Sequence, residues 1–322
     1  MIDRVLRVLP LSIRNLLESL SPVERSRLEE IRVRQDRPLE VITTEKSRFV
    51  TPEGRLTRDP REAYRPSGED CRKMLNLISN HSLYALEEEL RRGYVTIEGG
   101  HRIGLSGKVV VEGGRVRHLR DITGFNVRIA RQIPGVAGGL IPYLFQGGRV
   151  ENVLIVSPPQ CGKTTLLRDL ARIVSTGDKG LSPLKVGIVD ERSELAGCVQ
   201  GIPQHDVGPR TDVLDGCPKA EGMMMMIRSM SPDILVVDEI GRREDGEAVY
   251  EAVHAGVHVF TTAHGRTLEE VCRRPTISAL ARDGVFGRYV LLSRRRGPGT
   301  VEGVFDRSFR RVERLEMVRS PC

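Results

Sequence analysis

The chain has 322 residues, enough for two domains with separate cores, and its 29% charged and 39% hydrophobic residues are ordinary for a globular protein. Lys and Arg exceed Asp and Glu by 50 − 43 = 7, a mildly basic balance that suits nucleic acid, anionic lipid or an acidic partner without choosing among them. Six cysteines without a C-x-x-C pair argue against a zinc knuckle or disulfide framework, and no apolar run approaches the ~18 residues of a membrane span.

At the N-terminus Asp3, Arg4, Arg7 and Arg14 interrupt the apolar residues, so the segment does not read as a secretory signal and the chain is expected in the cytoplasm. Ile13, Leu16, Leu17 and Leu20 recur at helical spacing. Ser21-Pro22-Val23-Glu24 reads as a capping box with proline at the first helical position, opening a second helix through Leu28 and Ile31. Residues 38–49 are strand-like, and 51–68, rich in Pro, Gly and charge, read as a loop. Over 69–92, Met74, Ile78, Leu83, Leu86 and Leu90 fall on one helical face. From 93 to 127, short β-branched runs broken by Gly99-Gly100 and Gly113-Gly114 predict antiparallel hairpins. Residues 1–135 therefore form one expected α+β domain, with the Gly-Pro-rich stretch 133–139 as linker.

Residues 136–322 change rhythm. Buried strands are expected at 153–156, 186–189, 234–237 and 257–261, with helices at 164–174 and 244–254 and a final hairpin over 289–305 turned at Gly297-Pro298-Gly299. Strand–loop–helix alternation predicts an α/β domain, a mainly parallel sheet covered by helices.

Between the first of these strands and its helix lies Ser157-Pro158-Pro159-Gln160-Cys161-Gly162-Lys163-Thr164-Thr165. A loop entering a helix N-terminus aims several N–H groups at one point, where the helix dipole also favours an anion. Gly162 lets the backbone approach phosphates, Lys163 reaches the β and γ oxygens, and the Thr164 hydroxyl suits Mg²⁺, so ATP and Mg²⁺ are the expected ligands. Ser157 stands where the G-x-x-x-x-G-K-[ST] pattern has its first glycine. The apolar strand ending in Asp238-Glu239 has the form of a Walker B element. Asp238 is expected to hold Mg²⁺ through a water, and Glu239 to orient or deprotonate the attacking water. The 186–189 strand ends in Asp190-Glu191-Arg192-Ser193-Glu194, and both acidic ends can face the loop, because active sites of open α/β sheets gather at the carboxyl ends of strands. Thr261-Thr262-Ala263-His264 is polar where a strand ends, and His264 is a candidate sensor of the γ-phosphate. His254 and His258, four residues apart, straddle a helix end and a strand start and do not suggest zinc.

Taken together, SPPQCGKTTLLRDL at 157–170, VGIVDERSELAG at 186–197, the 206–233 segment with its run of methionines and HVFTTAHG at 258–265 resemble the stage III sporulation protein AA family of endospore-forming bacteria. That family is in turn similar to the ring ATPases of type II and type IV secretion. The resemblance implies a RecA-like core, a preceding α+β domain that helps close the site, and a homo-oligomer, a hexameric ring. It also implies peripheral recruitment to a membrane on the mother-cell side and membrane proteins of the sporulation channel complex as partners. The secretion motors' aspartate box falls on Asp190, Glu191 and Glu194 with two acids exchanged, their Walker B glutamate on Glu239, and their histidine box on His258 and His264. Ring ATPases commonly take an arginine from a neighbour; Arg210 is the candidate preferred here, then Arg228, with Arg242 and Arg243 placed to act within the subunit. Movement of the first domain about 135–139 would bring Arg102, Arg128 and Arg131 to the phosphates.

Two rival functions share the motifs. A nucleic-acid-dependent motor would use the basic C-terminal region, Arg294-Arg295-Arg296 with Arg307, Arg310 and Arg311, but 4% aromatic residues and no tryptophan leave few stacking platforms, so no nucleic acid is expected. A nucleotide-gated scaffold with little hydrolysis would have no use for the water-activating Glu239.

Overall fold

The structure, a computed structural model, describes residues 2–43, 46–79, 87–146 and 149–313. The chain divides into two compact units, residues 1–131 and 132–322.

The first unit opens with helices α1 (Ile2–Arg7), α2 (Leu11–Glu18) and α3 (Pro22–Ser26) and strands β1 (Leu28–Arg34), β2 (Glu40–Thr43), β3 (Ser47–Val50) and β4 (Leu56–Thr57). Helices α4 (Gly68–Ile78) and α5 (Glu87–Arg92) follow, then strands β5 (Tyr94–Ile97), β6 (His101–Glu112) and β7 (Arg115–Arg128). The strands form one antiparallel sheet in the order β4-β3-β2-β1-β7-β6-β5. Its core joins Ile31, Val41, Ile103 and Val127 to Ile13, Leu17 and Met74. The capping box at Ser21 forms with both reciprocal bonds, but the helix it opens ends at Ser26. Leu28 and Ile31, expected to continue it, lie in β1, which pairs with β2 on one side and β7 on the other. Fully buried Ile31 and Val33 are two apart, so sheet pairing overrides a local pattern that also fits a helix.

The expected 38–49 strand is the β2–β3 hairpin, and the 51–68 loop contributes β4 to its edge. Of the helical stretch 69–92, Leu83 and Leu86 lie outside the described residues. The glycine pairs 99–100 and 113–114 all have positive φ (89, 72, 57 and 76°) and turn β5 into β6 and β6 into β7. Arg102, Arg128 and Arg131 have partners within this unit: the Arg102 guanidinium lies 3.6 Å from the Tyr94 ring centroid, Arg128 faces Glu30 at 3.6 Å, and Arg131 donates to the carbonyls of Ser26 and Leu28 at 2.8 and 3.0 Å.

The second unit contains α6 (Ile141–Leu144), the small hairpin β8 (Phe145–Gln146) and β9 (Arg149–Val150), then β10 (Val153–Ser157), α7 (Lys163–Thr176), β11 (Val186–Asp190), β12 (Thr211–Asp215), α8 (Lys219–Ser229), β13 (Ile234–Val237), α9 (Arg243–His254), β14 (His258–His264), α10 (Leu268–Cys272), α11 (Pro275–Arg282), β15 (Arg288–Ser293) and β16 (Thr300–Phe305). The main sheet runs β12-β11-β13-β14-β10-β15-β16, parallel except for the last pair. Both faces are covered, and the alternation of side chains shows it. Ile155 and Val236 pack in one core with Leu166, Leu170 and Ile173 of α7. Their neighbours Leu154 and Val237 pack in a second with Met223 of α8, Val249 of α9 and Ile277 of α11. Within the methionine run, Met223 and Met226 are buried and Met225 is exposed.

The units divide at 131, ahead of the expected linker. Gly135 and Ala137 donate their N–H groups to the buried Asp169 carboxylate at 3.0 and 2.8 Å, and Gln132 contacts His205 Nδ1 at 2.7 Å. The stretch expected as a hinge is thereby fastened to α7.

Candidate active site

Strand order decides what meets at the carboxyl edge of the second sheet. β14 lies between β10 and β13, so its polar end stands between the phosphate-type loop that follows β10 and the Asp238-Glu239 pair that follows β13. These residues enclose a cavity of about 410 Å³ that also admits Gln160, Thr165, Arg192, Glu194 and Pro298 to its walls.

The loop takes its shape from Gln160 and Gly162, which have φ of 59° and 86°. Ser157, at the position of the missing glycine, carries no such demand; its hydroxyl donates to the Pro158 carbonyl at 2.8 Å. Gly162 is needed twice over: its φ is left-handed, and an added Cβ would lie 3.1 Å from the Gly299 nitrogen. The 297–299 turn packs on the loop there, with the Gly299 N–H donating to the Cys161 carbonyl at 2.8 Å. Lys163 opens α7 and is nearly buried. Its Nζ lies 2.9 Å from His264 Nδ1 and 3.4 Å from the carbonyls of Ser157 and Pro158. Burial lowers its pKa, and the negative charges of Asp238 and Glu239 work in the opposite direction.

The Thr164 hydroxyl donates to Asp238 at 2.7 Å. The Thr262 hydroxyl donates to the other Asp238 oxygen and accepts the Glu239 N–H at 2.9 Å. That second bond holds Glu239 in the left-handed region, at φ 56°, a conformation that costs a residue with a Cβ and persists only where neighbours fix it. The Glu239 side chain is held as well, by His264 Nε2 at 3.3 Å and Arg192 Nη1 at 3.2 Å. An ammonium has only donors, so with Lys163 charged His264 accepts at Nδ1 and donates from Nε2, which links Lys163 to Glu239 through one imidazole.

Thr164 and Asp238 are the residues placed to hold a metal. Among the described residues no group of three His, Cys, Asp or Glu side chains could cage an ion. Hard oxygen ligands from a hydroxyl and one carboxylate, completed by waters and phosphate oxygens, match the way Mg²⁺ is bound in nucleotide sites.

Several expected residues are elsewhere. Asp190 is buried beneath the site, where its carboxylate accepts the N–H groups of Glu194, Leu195 and Ala196 at 2.9, 2.9 and 2.8 Å; burial raises its pKa to about 6. It shapes the following loop and does not face the phosphate cavity. Arg168 holds the same loop from the other side, donating to the carbonyls of Leu195 and Glu194 at 2.5 and 2.6 Å. Glu191 turns to Lys219 at 2.8 Å in an adjoining cavity, whereas Glu194 reaches the main one. His258 begins β14, at the opposite end of the strand from His264, and the Tyr250 ring stacks on His254. Arg210 precedes β12 at that same far end of the sheet and donates to the Ser175 carbonyl at 3.2 Å, so it does not join this chain's own site. Arg228 is exposed on α8, and Arg243 pairs with Glu247 at 2.8 Å. Arg192, Arg168 and the Pro298 turn were not expected here. Arg192 had a signal in the sequence, a cation inside an acidic strand end, whereas the turn's docking depends on tertiary structure alone.

A parallel sheet with helices on both faces, a phosphate-type loop after one strand and an acidic pair after another define the class: a RecA-like P-loop fold of the kind found in secretion ATPases. The X-ray structure of the Legionella pneumophila ATPase DotB shares the fold at a TM-score of 0.57 and 15% identity, over 88% of this chain and 76% of that one. The pilus retraction motor PilT, solved with bound ADP, gives 0.55 at 16% identity, over 85% and 78%. The chain belongs to the family described as Sporulation stage III, protein AA, whose model matches residues 2–312. It is 49% identical over 318 residues, 99% of each chain, to Stage III sporulation protein AA of Bacillus subtilis (strain 168).

Proposed function

We propose that this chain is a Mg-dependent ATPase of the secretion-motor type. The observation that carries the reading is the single cavity in which Lys163, the Thr164–Asp238 pair and the restrained Glu239 meet. The loop N–H groups and Lys163 bind the β and γ phosphates. Glu239 orients a water on the γ-phosphorus and accepts its proton. As the water oxygen bonds to phosphorus, the bond to the β,γ-bridging oxygen breaks and its electron pair leaves on ADP. Phosphate departs, and the proton passes from Glu239 to solvent. Mg²⁺, when bound, neutralises charge on the phosphate oxygens.

Family membership and the likeness to secretion motors support a homo-oligomeric, hexameric ring. They also support recruitment from the cytoplasm to membrane proteins of the sporulation channel complex. No helix among the described residues is long and apolar enough to cross a membrane.

The test is nucleotide binding against turnover, with native mass measured with and without ATP. Lys163→Ala should lose both binding and turnover. Glu239→Gln should bind ATP while turnover falls by roughly 10² to 10⁴, the usual worth of a positioned base. Near wild-type turnover in Glu239→Gln would reject this assignment, and failure of the wild type to bind nucleotide would reject the function.

A further inference from the structure

Arg192 projects into the phosphate cavity from a loop fixed at its base. Asp190 gathers three N–H groups of that loop, Arg168 grips two of its carbonyls, and the Ser193 hydroxyl donates to Asp215 at 2.6 Å. The backbone is therefore held, and the Arg192 side chain, about half exposed, lines the cavity. Its partner among the described residues is Glu239, at 3.2 Å and itself one-third exposed. A solvated ion pair of this kind contributes little, so a stronger anion displaces it readily.

We propose that Arg192 is the arginine that contacts the γ-phosphate, supplied within the same chain, and that it exchanges Glu239 for that phosphate when ATP binds. This rests on the ATPase reading above. Two features favour it. The cavity walls hold the carboxylates of Glu194, Asp238 and Glu239 against the cations Lys163 and Arg192, so a triphosphate entering there needs every cation it can recruit. A guanidinium presents a planar fork of N–H donors that fits two phosphate oxygens at once. The exchange also has a chemical consequence. Glu239, released by Arg192 but still held by His264, becomes free to accept the proton of the attacking water while the β,γ-bridging P–O bond breaks and its electrons leave on ADP. Charge on the γ-phosphate thus frees the base that acts on it.

The experiment uses the full chain. Turnover, ADP affinity and affinity for ADP with aluminium fluoride, which mimics the transferring phosphoryl group, are measured for wild type, Arg192→Ala and Arg192→Lys. Arginine contacts of this type are worth ~10³-fold or more in rate, so Arg192→Ala should lose about that factor while ADP affinity changes by less than about threefold. Added guanidinium should restore part of the loss, the aluminium fluoride complex should weaken selectively, and lysine should recover little, lacking the fork. Mixing Arg192→Ala with Lys163→Ala subunits should restore nothing, because each chain would carry its own defect. Restored turnover on mixing would show an arginine acting between subunits and overturn the proposal. Turnover of Arg192→Ala near wild type, or a loss matched by ADP affinity and not rescued by guanidinium, would overturn it as well. A wild-type chain that binds no nucleotide would instead fail the ATPase reading, and this inference with it.

Discussion

Replacing Thr262 by valine removes one hydroxyl and leaves the shape of the side chain nearly unchanged. That hydroxyl donates to the Asp238 carboxylate and accepts the Glu239 N–H, and it has no exposure to water that could substitute for either bond. Losing a hydrogen bond to a charged group costs about 1.5–3 kcal/mol, and stranding a buried N–H costs about 1–3. Thr262→Val should therefore destabilise the protein by roughly 3–5 kcal/mol. Turnover should fall by about 10²-fold if Asp238 and Glu239 drift by an ångström. Thr261 is the internal control. It is also fully buried on β14, but its hydroxyl has no partner among the described residues. Thr261→Val removes an unsatisfied polar atom and should be neutral or stabilising by about 1–2 kcal/mol. The chain has no tryptophan, so urea unfolding is best followed by far-ultraviolet circular dichroism, with ATP turnover measured on the same samples. Shifts of the same sign in both variants, or a Thr262→Val midpoint equal to wild type, would refute the reasoning.

Two further expectations separate the acids of the 190–194 segment. Glu191→Gln weakens its largely buried pair with Lys219, so it should cost about 1–3 kcal/mol while turnover remains within about threefold, read by the same two assays. Asp190 titrates near 6 when folded, above its ordinary 3.8, so the folded chain binds a proton there that the unfolded chain does not. Its contribution to stability therefore rises as pH falls from about 6 towards 4, and urea midpoints of wild type should gain on those of Asp190→Asn over that interval.

Much of the site could be read from the sequence because its parts are local. The phosphate loop, its helix and the acidic end of β13 are each specified within ten or so residues, and each motif carries its strand context with it. The role of Asp190 was not legible. An acid at a strand end reads alike whether it faces a cavity or turns back to collect N–H groups, and only the path of residues 191–196 distinguishes the two. The helix expected through Ile31 failed for a similar reason. Spacing in β1 satisfies two periods, and the pairing of that strand with β2 and β7, distant in sequence, selects one. Strand order was also hidden, since nothing local states that β14 enters the sheet between β10 and β13.

That insertion is what converts separate motifs into one connected site. With β10 and β13 as direct neighbours, Lys163 and Glu239 would have no imidazole between them, and the Glu239 N–H would lack the Thr262 hydroxyl that fixes its left-handed turn. With β14 between them, Lys163, His264, Glu239 and Arg192 form an unbroken chain of contacts at 2.9, 3.3 and 3.2 Å. Both ends of that chain are cations, and both are the groups a triphosphate attracts most strongly. Binding would therefore draw Arg192 off Glu239 at one end while His264 keeps its hold at the other, through side chains alone, and the backbone stays held by Thr262, Asp190 and Arg168. Coupling of that kind needs no movement of the sheet. Its strength is set by how much more a γ-phosphate attracts Arg192 and Lys163 than Glu239 and His264 do, the differential affinity that any ligand-driven change requires.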